Sequence, residues 1–204
     1  MAELQHRTRN LLAVVQAIAS QTLRSNTSIK TFKGEFEQRL RALSRIQSLL
    51  ATVDYGDVDL RSLLEAELFA HAAEAVEVEK LSLAGPPVSL PATSAQALAL
   101  GIHELATNAL KYGAIGQPSG RLDVSWAVEA DELEPKVTLL WEESGVQMAD
   151  NAALGRKGYG RELIEQALPY QLRAKTKLEF RADGVRCVIA VPIKANTDAG
   201  RPGA

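Results

Sequence analysis

The sequence predicts an α+β protein in which an N-terminal α-helical hairpin is followed by a two-layer α/β sandwich. Three observations carry that expectation. Apolar residues recur at helical spacing on both sides of the polar turn Ser25-Asn26-Thr27-Ser28. A long amphipathic helix beginning near Pro91 is followed by two alternating strands. The final stretch places Val185, Cys187, Ile189, Val191 and Ile193 at every second position, as a half-buried strand requires.

The first helix runs from Glu3 to about Arg24. At about 100° per residue, Leu4, Leu11, Leu12, Val14, Val15, Ile18 and Ala19 fall in one stripe. His6 lies about 200° from Leu4 on that wheel, on the side shared by Arg9, Asn10, Gln16 and Ser20, which predicts a solvent-facing side chain. The second helix extends to about Ala51, with Ile29, Phe32, Phe36, Leu40, Leu43, Ile46 and Leu50 spaced by three and four. Such a hairpin buries too little alone. It pairs with a second copy as a four-helix bundle or packs on the rest of its own chain.

Asp59 is placed to cap a helix from Leu60 to about Ala73. A β-like stretch, Val76 to Leu83, precedes the turn Gly85-Pro86-Pro87. Pro91 opens the long helix, which reaches about Tyr112. Leu122, Val124, Trp126 and Val128 form one face of the next strand, and Val137, Leu139 and Trp141 one face of its partner, joined through Asp131 to Pro135. A glycine-bearing loop, Ser144 to Gly158, leads into a helix from Tyr159 to Leu168. A strand from Lys175 to Arg181, the turn Ala182-Asp183-Gly184 and the closing strand complete the sandwich. The expected organisation is therefore a hairpin at 1–55, a sandwich domain at 56–195 and a disordered tail at 196–204.

With 204 residues, 46% apolar and 24% charged, the chain has the composition of an ordinary globular protein. A net charge of -2 gives no electrostatic footprint for nucleic acid. No run approaches a membrane span, and no signal peptide opens the chain, so a cytoplasmic location is expected. One cysteine and three histidines exclude a disulfide framework and make a cysteine or histidine metal centre implausible. Met1-Ala2 leads straight into helix without a cap, which suggests a sensory input domain upstream.

Three clusters bear on chemistry. On the helix after Pro91, Leu98, Ile102, Leu105, Ala106 and Ala109 take one face, and Glu104, Asn108 and Lys111 line up on the other. A carboxamide oxygen suits Mg²⁺, a lysine neutralises phosphate oxygens, and a carboxylate one turn earlier orients a nucleophile or a water. On its own such a stripe is more often a solvated face. Gly155 to Arg161 contains glycines ahead of a helix N-terminus, a combination suited to phosphate, though it fits neither a P-loop nor a dinucleotide fingerprint. Trp141-Glu142-Glu143-Ser144-Gly145 ends a strand with a carboxylate that can accept an adenine amino group while the glycine leaves room for the ring.

In this order the pieces resemble the HWE subfamily of bacterial sensor histidine kinases, over residues 3 to about 193. Leu4-Gln5-His6-Arg7-Thr8-Arg9-Asn10-Leu11-Leu12-Ala13 is similar to the phosphoacceptor box, and His103-Glu104-Leu105-Ala106-Thr107-Asn108-Ala109-Leu110-Lys111-Tyr112-Gly113-Ala114 to the N box. His103, Trp141 and Glu143 match the residues that name the subfamily. Gly158-Tyr159-Gly160 with Leu163-Ile164 is similar to the second glycine box, and Gly184 to Cys187 to the closing strand.

The resemblance implies a histidine kinase/gyrase-type ATP-binding domain using ATP and Mg²⁺. His6 would be the phosphoacceptor, Asn108 the Mg²⁺ ligand, and Glu104 and Lys111 the residues attending the phosphates. Tyr112, Glu143, Gly145, Gly158, Tyr159 and Gly160 would join Asn108 and Lys111 around ATP, the 155–160 glycines in a mobile lid. Asn10 would orient water for dephosphorylating the partner, a response-regulator receiver domain docked near His6. A homodimer through the hairpin is compatible with this. Spacing assigns no physical job to His103 or Trp141, for which a helix-flank hydrogen bond and strand packing are the plain readings. Departures occur at Val146, where a second glycine is usual, at Arg161, often Ser or Thr, and at Arg173-Ala174, where glycines are common. Two alternatives stand beside the kinase: a phosphotransfer protein with a vestigial ATP-binding domain, and a gyrase-like ATPase that forms no phosphohistidine.

Overall fold

The computed structural model describes residues 2–25, 28–52, 57–72, 80–129, 135–147 and 159–193, with the backbone alone described at 2–7, 10, 25, 52, 71 and 72. Two long helices open it, α1 (Ala2–Ser25) and α2 (Ile29–Thr52), each one turn or less from the expected bounds. Ser28 accepts the Thr31 amide on its hydroxyl, ending the turn and starting α2. Leu11, Val14 and Val15 are partly buried and Ile18 fully buried, so the centre of the α1 stripe faces the core. Ile29, expected in the α2 stripe, is 88% exposed, because the packed part of that helix begins a turn later.

Strand β1 (Val58–Asp59) leads directly into α3 (Leu60–Ala72). Asp59 caps α3: its carboxylate accepts both the amide and the hydroxyl of Ser62, each at 2.9 Å. Strand β2 (Leu81–Ala84) is the described part of the β-like stretch; it ends one residue later than expected, and 73–79 lie outside the described residues. Strand β3 (Ser89–Leu90) pairs antiparallel with β1, a two-rung ladder too short to have a sequence period.

Helix α4 (Ala92–Lys111) follows Pro91, whose missing N–H costs nothing at a helix start. The meander β4 (Arg121–Glu129) and β5 (Lys136–Ser144) pairs in register, with Val124 opposite Trp141 and Trp126 opposite Leu139. Their joining turn lies outside the described residues except for Pro135. A short helix α5 (Tyr159–Glu162), a π-helical turn (Leu163–Ala167) and α6 (Leu168–Leu172) continue one another. Pro169 supplies no amide, Leu168 N–H reaches back five residues to Leu163 C=O, and the Thr176 hydroxyl donates to Ile164 C=O at 2.8 Å. Strands β6 (Lys175–Arg181) and β7 (Gly184–Pro192) close the chain.

The five-stranded sheet has the order β2-β4-β5-β7-β6, with β2–β4 parallel and the remaining pairs antiparallel. Leu122, Val124, Trp126, Leu139, Trp141, Cys187 and Ile189 are buried in the same core as Leu98, Ile102, Leu105 and Ala106 of α4. This is the expected two-layer α+β arrangement. Val128, expected on the inner face, is 40% exposed at the end of its strand. The hairpin lies on the other side of the helical layer, with α2 against α4 and α1 reaching α5. No described helix is long and apolar enough to cross a membrane.

Arg173 takes a left-handed backbone (φ 51°) at the end of α6, where glycine would sit without strain. Arg173→Gly is therefore expected to stabilise the chain by about 0.5–1 kcal/mol, the relieved strain exceeding the extra unfolded-state freedom. A rise in the thermal or urea midpoint checks this, and a fall would show that the arginine makes compensating contacts.

Candidate functional site

Of the residues singled out by sequence, Asn108, Lys111, Tyr112, Glu143 and Gly145 lie where the C-terminal end of α4 meets the end of β5. After Lys111 the chain wraps back on itself, with the amides of Gly113, Ile115 and Gly116 all directed at Ala109 C=O. This wrap delivers the Ala114 amide to Glu143 Oε2 at 2.9 Å. From two residues earlier on the same face of β5, the Trp141 indole N–H donates to Glu143 Oε1 at 3.0 Å. Both oxygens of a 5% exposed carboxylate are thus fixed by donors that the fold holds rigid. Burial pushes the Glu143 pKa up, and the two hydrogen bonds only partly oppose it. Gly113 is required here, since a Cβ would overlap Glu143 Oε2. Gly145, two residues on, has φ 69° and lies against Ser119 C=O, leaving no room for a side chain.

The α4 stripe needs correction. Asn108, Lys111 and Tyr112 are exposed, the tyrosine by 73%, but Glu104 is buried. The sequence treats α4 as having one covered face, whereas the sheet covers one side and α2 and α3 much of the rest. Glu104 is gripped from α2 by Arg39, Nε to Oε1 at 2.7 Å and Nη2 to Oε2 at 3.3 Å. Burial alone would lower the Arg39 pKa, but Glu104 and Glu35 more than offset it and hold the guanidinium charged.

Tyr159, expected around ATP, is instead buried, with Arg39 Cζ 3.8 Å from its ring centroid. Burial foremost, and then the Glu104 charge, raise its phenol well above the usual range. Gly160 lies beside the stripe: a Cβ there would stand 3.1 Å from Glu104 Oε2 and 3.3 Å from Asn108 Nδ2. Gly158 falls outside the described residues, as do the side chains of His6 and Asn10, whose backbone belongs to α1. Val146, at the position of the absent second glycine, is buried and donates its amide to Asp183 C=O at 2.9 Å. Arg161 makes an ion pair with Glu165 at 3.0 Å, one turn along its own helix.

His103 faces away from the sheet into a buried polar cluster. Its Nδ1 lies 3.4 Å from Glu67 Oε2 on α3 and 3.3 Å from Arg45 Nη2 on α2. Arg45 also grips Glu67 with both arms of its guanidinium. Burial would raise the Glu67 pKa, yet the bonds from His103 and Arg45 bring it below the usual carboxylate range. Arg39, Arg45 and Glu67 are residues that sequence reasoning missed. A signal existed for Arg39, which shares the buried α2 face with Leu43 and Ile46 at spacings of four and seven.

Among the described residues no group of three or more His, Cys, Asp or Glu could hold a metal ion. A divalent cation at Asn108 would take its remaining ligands from phosphates and water, which suits the exposed carboxamide.

Comparison with known proteins gives the family and the fold. Residues 3–87 match the family model described as HWE histidine kinase. A blue-light-activated histidine kinase of Brucella anthropi is 33% identical over 200 residues, covering 95% of this chain and 39% of the relative. That of Brucella ovis is 32% identical over 192 residues, covering 94% and 38%. The chain thus spans about two-fifths of the length of these curated relatives. Among solved structures, the Erythrobacter litoralis EL346 blue-light activated histidine kinase superposes with TM-score 0.67 at 20% identity, over 94% of this chain and 58% of that one. The histidine kinase domain of the same protein gives TM-score 0.65 at 18% identity, over 94% and 89%. At that identity the two structures establish a shared fold.

Proposed function

The chain belongs to the HWE histidine kinase family, and from that premise we propose that it binds ATP with magnesium, phosphorylates His6 and passes the phosphoryl group to an aspartate of a response-regulator receiver domain. The observation that carries the reading is the Glu143 carboxylate, fixed by Trp141 and Ala114 beside the end of α4 that presents Asn108 and Lys111. Glu143 accepts the adenine amino group, and Gly145, whose left-handed backbone and contact with Ser119 C=O admit no side chain, turns the chain beside it. Tyr112 flanks the nucleotide, and Tyr159 supports Gly160 and the lid that includes Gly158. Asn108 holds Mg²⁺, whose charge neutralises phosphate oxygens, and Lys111 adds a second cation. The hairpin, residues 1–55, supplies the acceptor, and residues 56–195 form the catalytic domain.

The chemistry asks for positioning more than for covalent help, because the transition state of phosphoryl transfer is loose. An imidazole nitrogen of His6 bonds to the γ-phosphorus as the bond to the β,γ-bridging oxygen breaks and ADP departs. Neutral imidazole is nucleophilic at pH 7 without a strong base. Glu104 would steer the imidazole or take up its proton. Asn10, one turn after His6, would orient water for the reverse duty of dephosphorylating the receiver. An upstream sensory domain and pairing of hairpins in a homodimer complete the proposed setting. The accessible Asn108 and the close fit of Gly160 favour an ATP-using enzyme over a relay with a vestigial domain.

Incubation with Mg²⁺ and γ-³²P-ATP tests this directly. The expected result is a label on the protein that is labile in acid, stable in alkali and confined to the peptide containing His6. ATP hydrolysis with no bound label would point to a gyrase-like ATPase, and a label accepted only from a phosphorylated receiver would point to the relay.

A further inference from the structure

Arg39 touches more of the candidate site than packing requires. Its side chain is almost enclosed, and its four hydrogen bonds engage four of the five guanidinium N–H groups. Two go to Glu104, one from Nη1 to the Thr22 hydroxyl of α1 at 2.8 Å, and one from Nη1 to Glu35 at 3.2 Å. Thr22 is locked in turn by donating its hydroxyl to Ile18 C=O. With its guanidinium stacked on Tyr159 of α5, this one arginine ties both hairpin helices to α4, which carries Asn108, and to α5, whose Gly160 lies beside it.

That arrangement conflicts with phosphoryl transfer inside one chain. His6 precedes Thr22 by sixteen residues on α1, or about 24 Å along the helix axis at 1.5 Å per residue. Thr22 shares Arg39 with Glu104, and Glu104 lies one turn from Asn108. Transfer needs the reacting atoms about 3–3.5 Å apart. While Arg39 joins Thr22 to Glu104, the His6 position on α1 of the same chain lies too far along the helix to be served by a phosphate at Asn108. A role for Arg39 as a phosphate ligand is less consistent with the contacts, since nearly all its donors are already committed.

We propose that the Arg39–Glu104 bridge is a latch that holds the hairpin in a resting position and must open before His6 can reach the nucleotide bound to its own chain. The inference rests on the kinase reading above. Opening moves α1 and α2 relative to α4 and frees the Glu104 carboxylate at the same moment, so the acceptor and the residue that would steer it are released together.

The test uses the full chain with spin labels at Ser20→Cys on α1 and Lys175→Cys on β6, both exposed positions. The native Cys187 is buried, with its thiol pushed up to about 12, and does not compete for label. Parent and Arg39→Gln are compared for label-to-label distance and for initial rate of ³²P incorporation at saturating Mg²⁺-ATP. Expected are a second distance population in Arg39→Gln and a rate raised at least about fivefold, the lower end of usual coupling between sites, with ATP affinity unchanged. A single unchanged distance overturns the latch whether or not the protein is labelled. A slower rate in folded Arg39→Gln overturns it while leaving the kinase reading intact. A second distance with no phosphorylation in either protein removes the kinase reading and the proposal with it. Should Arg39→Gln fail to fold, Arg39→Lys keeps the charge but loses the two-armed grip, and the same outcomes apply.

Discussion

Glu143→Ala is expected to weaken ATP binding roughly 10- to 150-fold, the worth of one hydrogen bond to a buried charged acceptor. Stability should change far less, because two opposing effects accompany the substitution. The Trp141 indole and the Ala114 amide lose their shared acceptor, a destabilising loss. Against that, a buried carboxylate whose raised pKa marks its ionised form as unfavourable in the fold is removed. Glu143→Gln is expected to fall nearly as far in affinity. A carboxamide has one acceptor oxygen, so serving the Ala114 amide turns its NH₂ toward the Trp141 N–H, and serving Trp141 turns it toward Ala114. Calorimetric titration with ATP, beside thermal melts of the same samples, checks this. Unchanged affinity in a folded Glu143→Ala protein would remove adenine recognition from this position.

The second large effect is structural. Arg45→Met should cost about 3–5 kcal/mol, because it strands the Glu67 carboxylate, 1% exposed, without its cationic partner. That is a large fraction of the roughly 5–15 kcal/mol of a typical domain. Adding Glu67→Leu to Arg45→Met is expected to recover most of the loss, since the desolvated charge is then gone. The pH dependence has a definite sign. Glu67 has a depressed pKa in the folded chain, so its contribution is present above the unfolded carboxylate value and disappears as pH falls through the folded one. The gap between parent and Arg45→Met should therefore narrow in acid. Urea unfolding at pH 7 and near pH 4 measures it, and an equal gap at both would exclude the Arg45–Glu67 pair as its source.

Those two clusters also show what could be read from the sequence. Helix and strand positions followed from periodicity and caps: Asp59 and Pro91 begin their helices where expected, and the strict alternation from Val185 produces β7. Elements without a period escaped notice. The β1–β3 ladder is two residues long, and the π turn at Leu163–Ala167 arises from the missing amide of Pro169 rather than from any apolar pattern. At the site, Asn108, Lys111, Glu143 and Gly145 emerged from local context and lie together. Glu104 was misjudged because its partner is sixty-five residues away on α2, and a contact of that range leaves no mark in the surrounding sequence. His103 and Trp141 had motifs but no assigned work until their partners, Glu67 and Glu143, were placed in space.

Among the described residues strand β6 is an edge of the sheet, and it alternates Lys175, Lys177, Glu179 and Arg181 along its length. An incoming strand from another molecule could satisfy its unpaired amides only by crowding those side chains, including the Lys177–Glu179 and Arg186–Glu179 ion pairs, out of water. The margin of the sheet is thereby made unattractive to intermolecular β-stacking, so concentrated or partly unfolded preparations should be protected there from filamentous growth, and hydrophobic replacement of Lys177 would open that route.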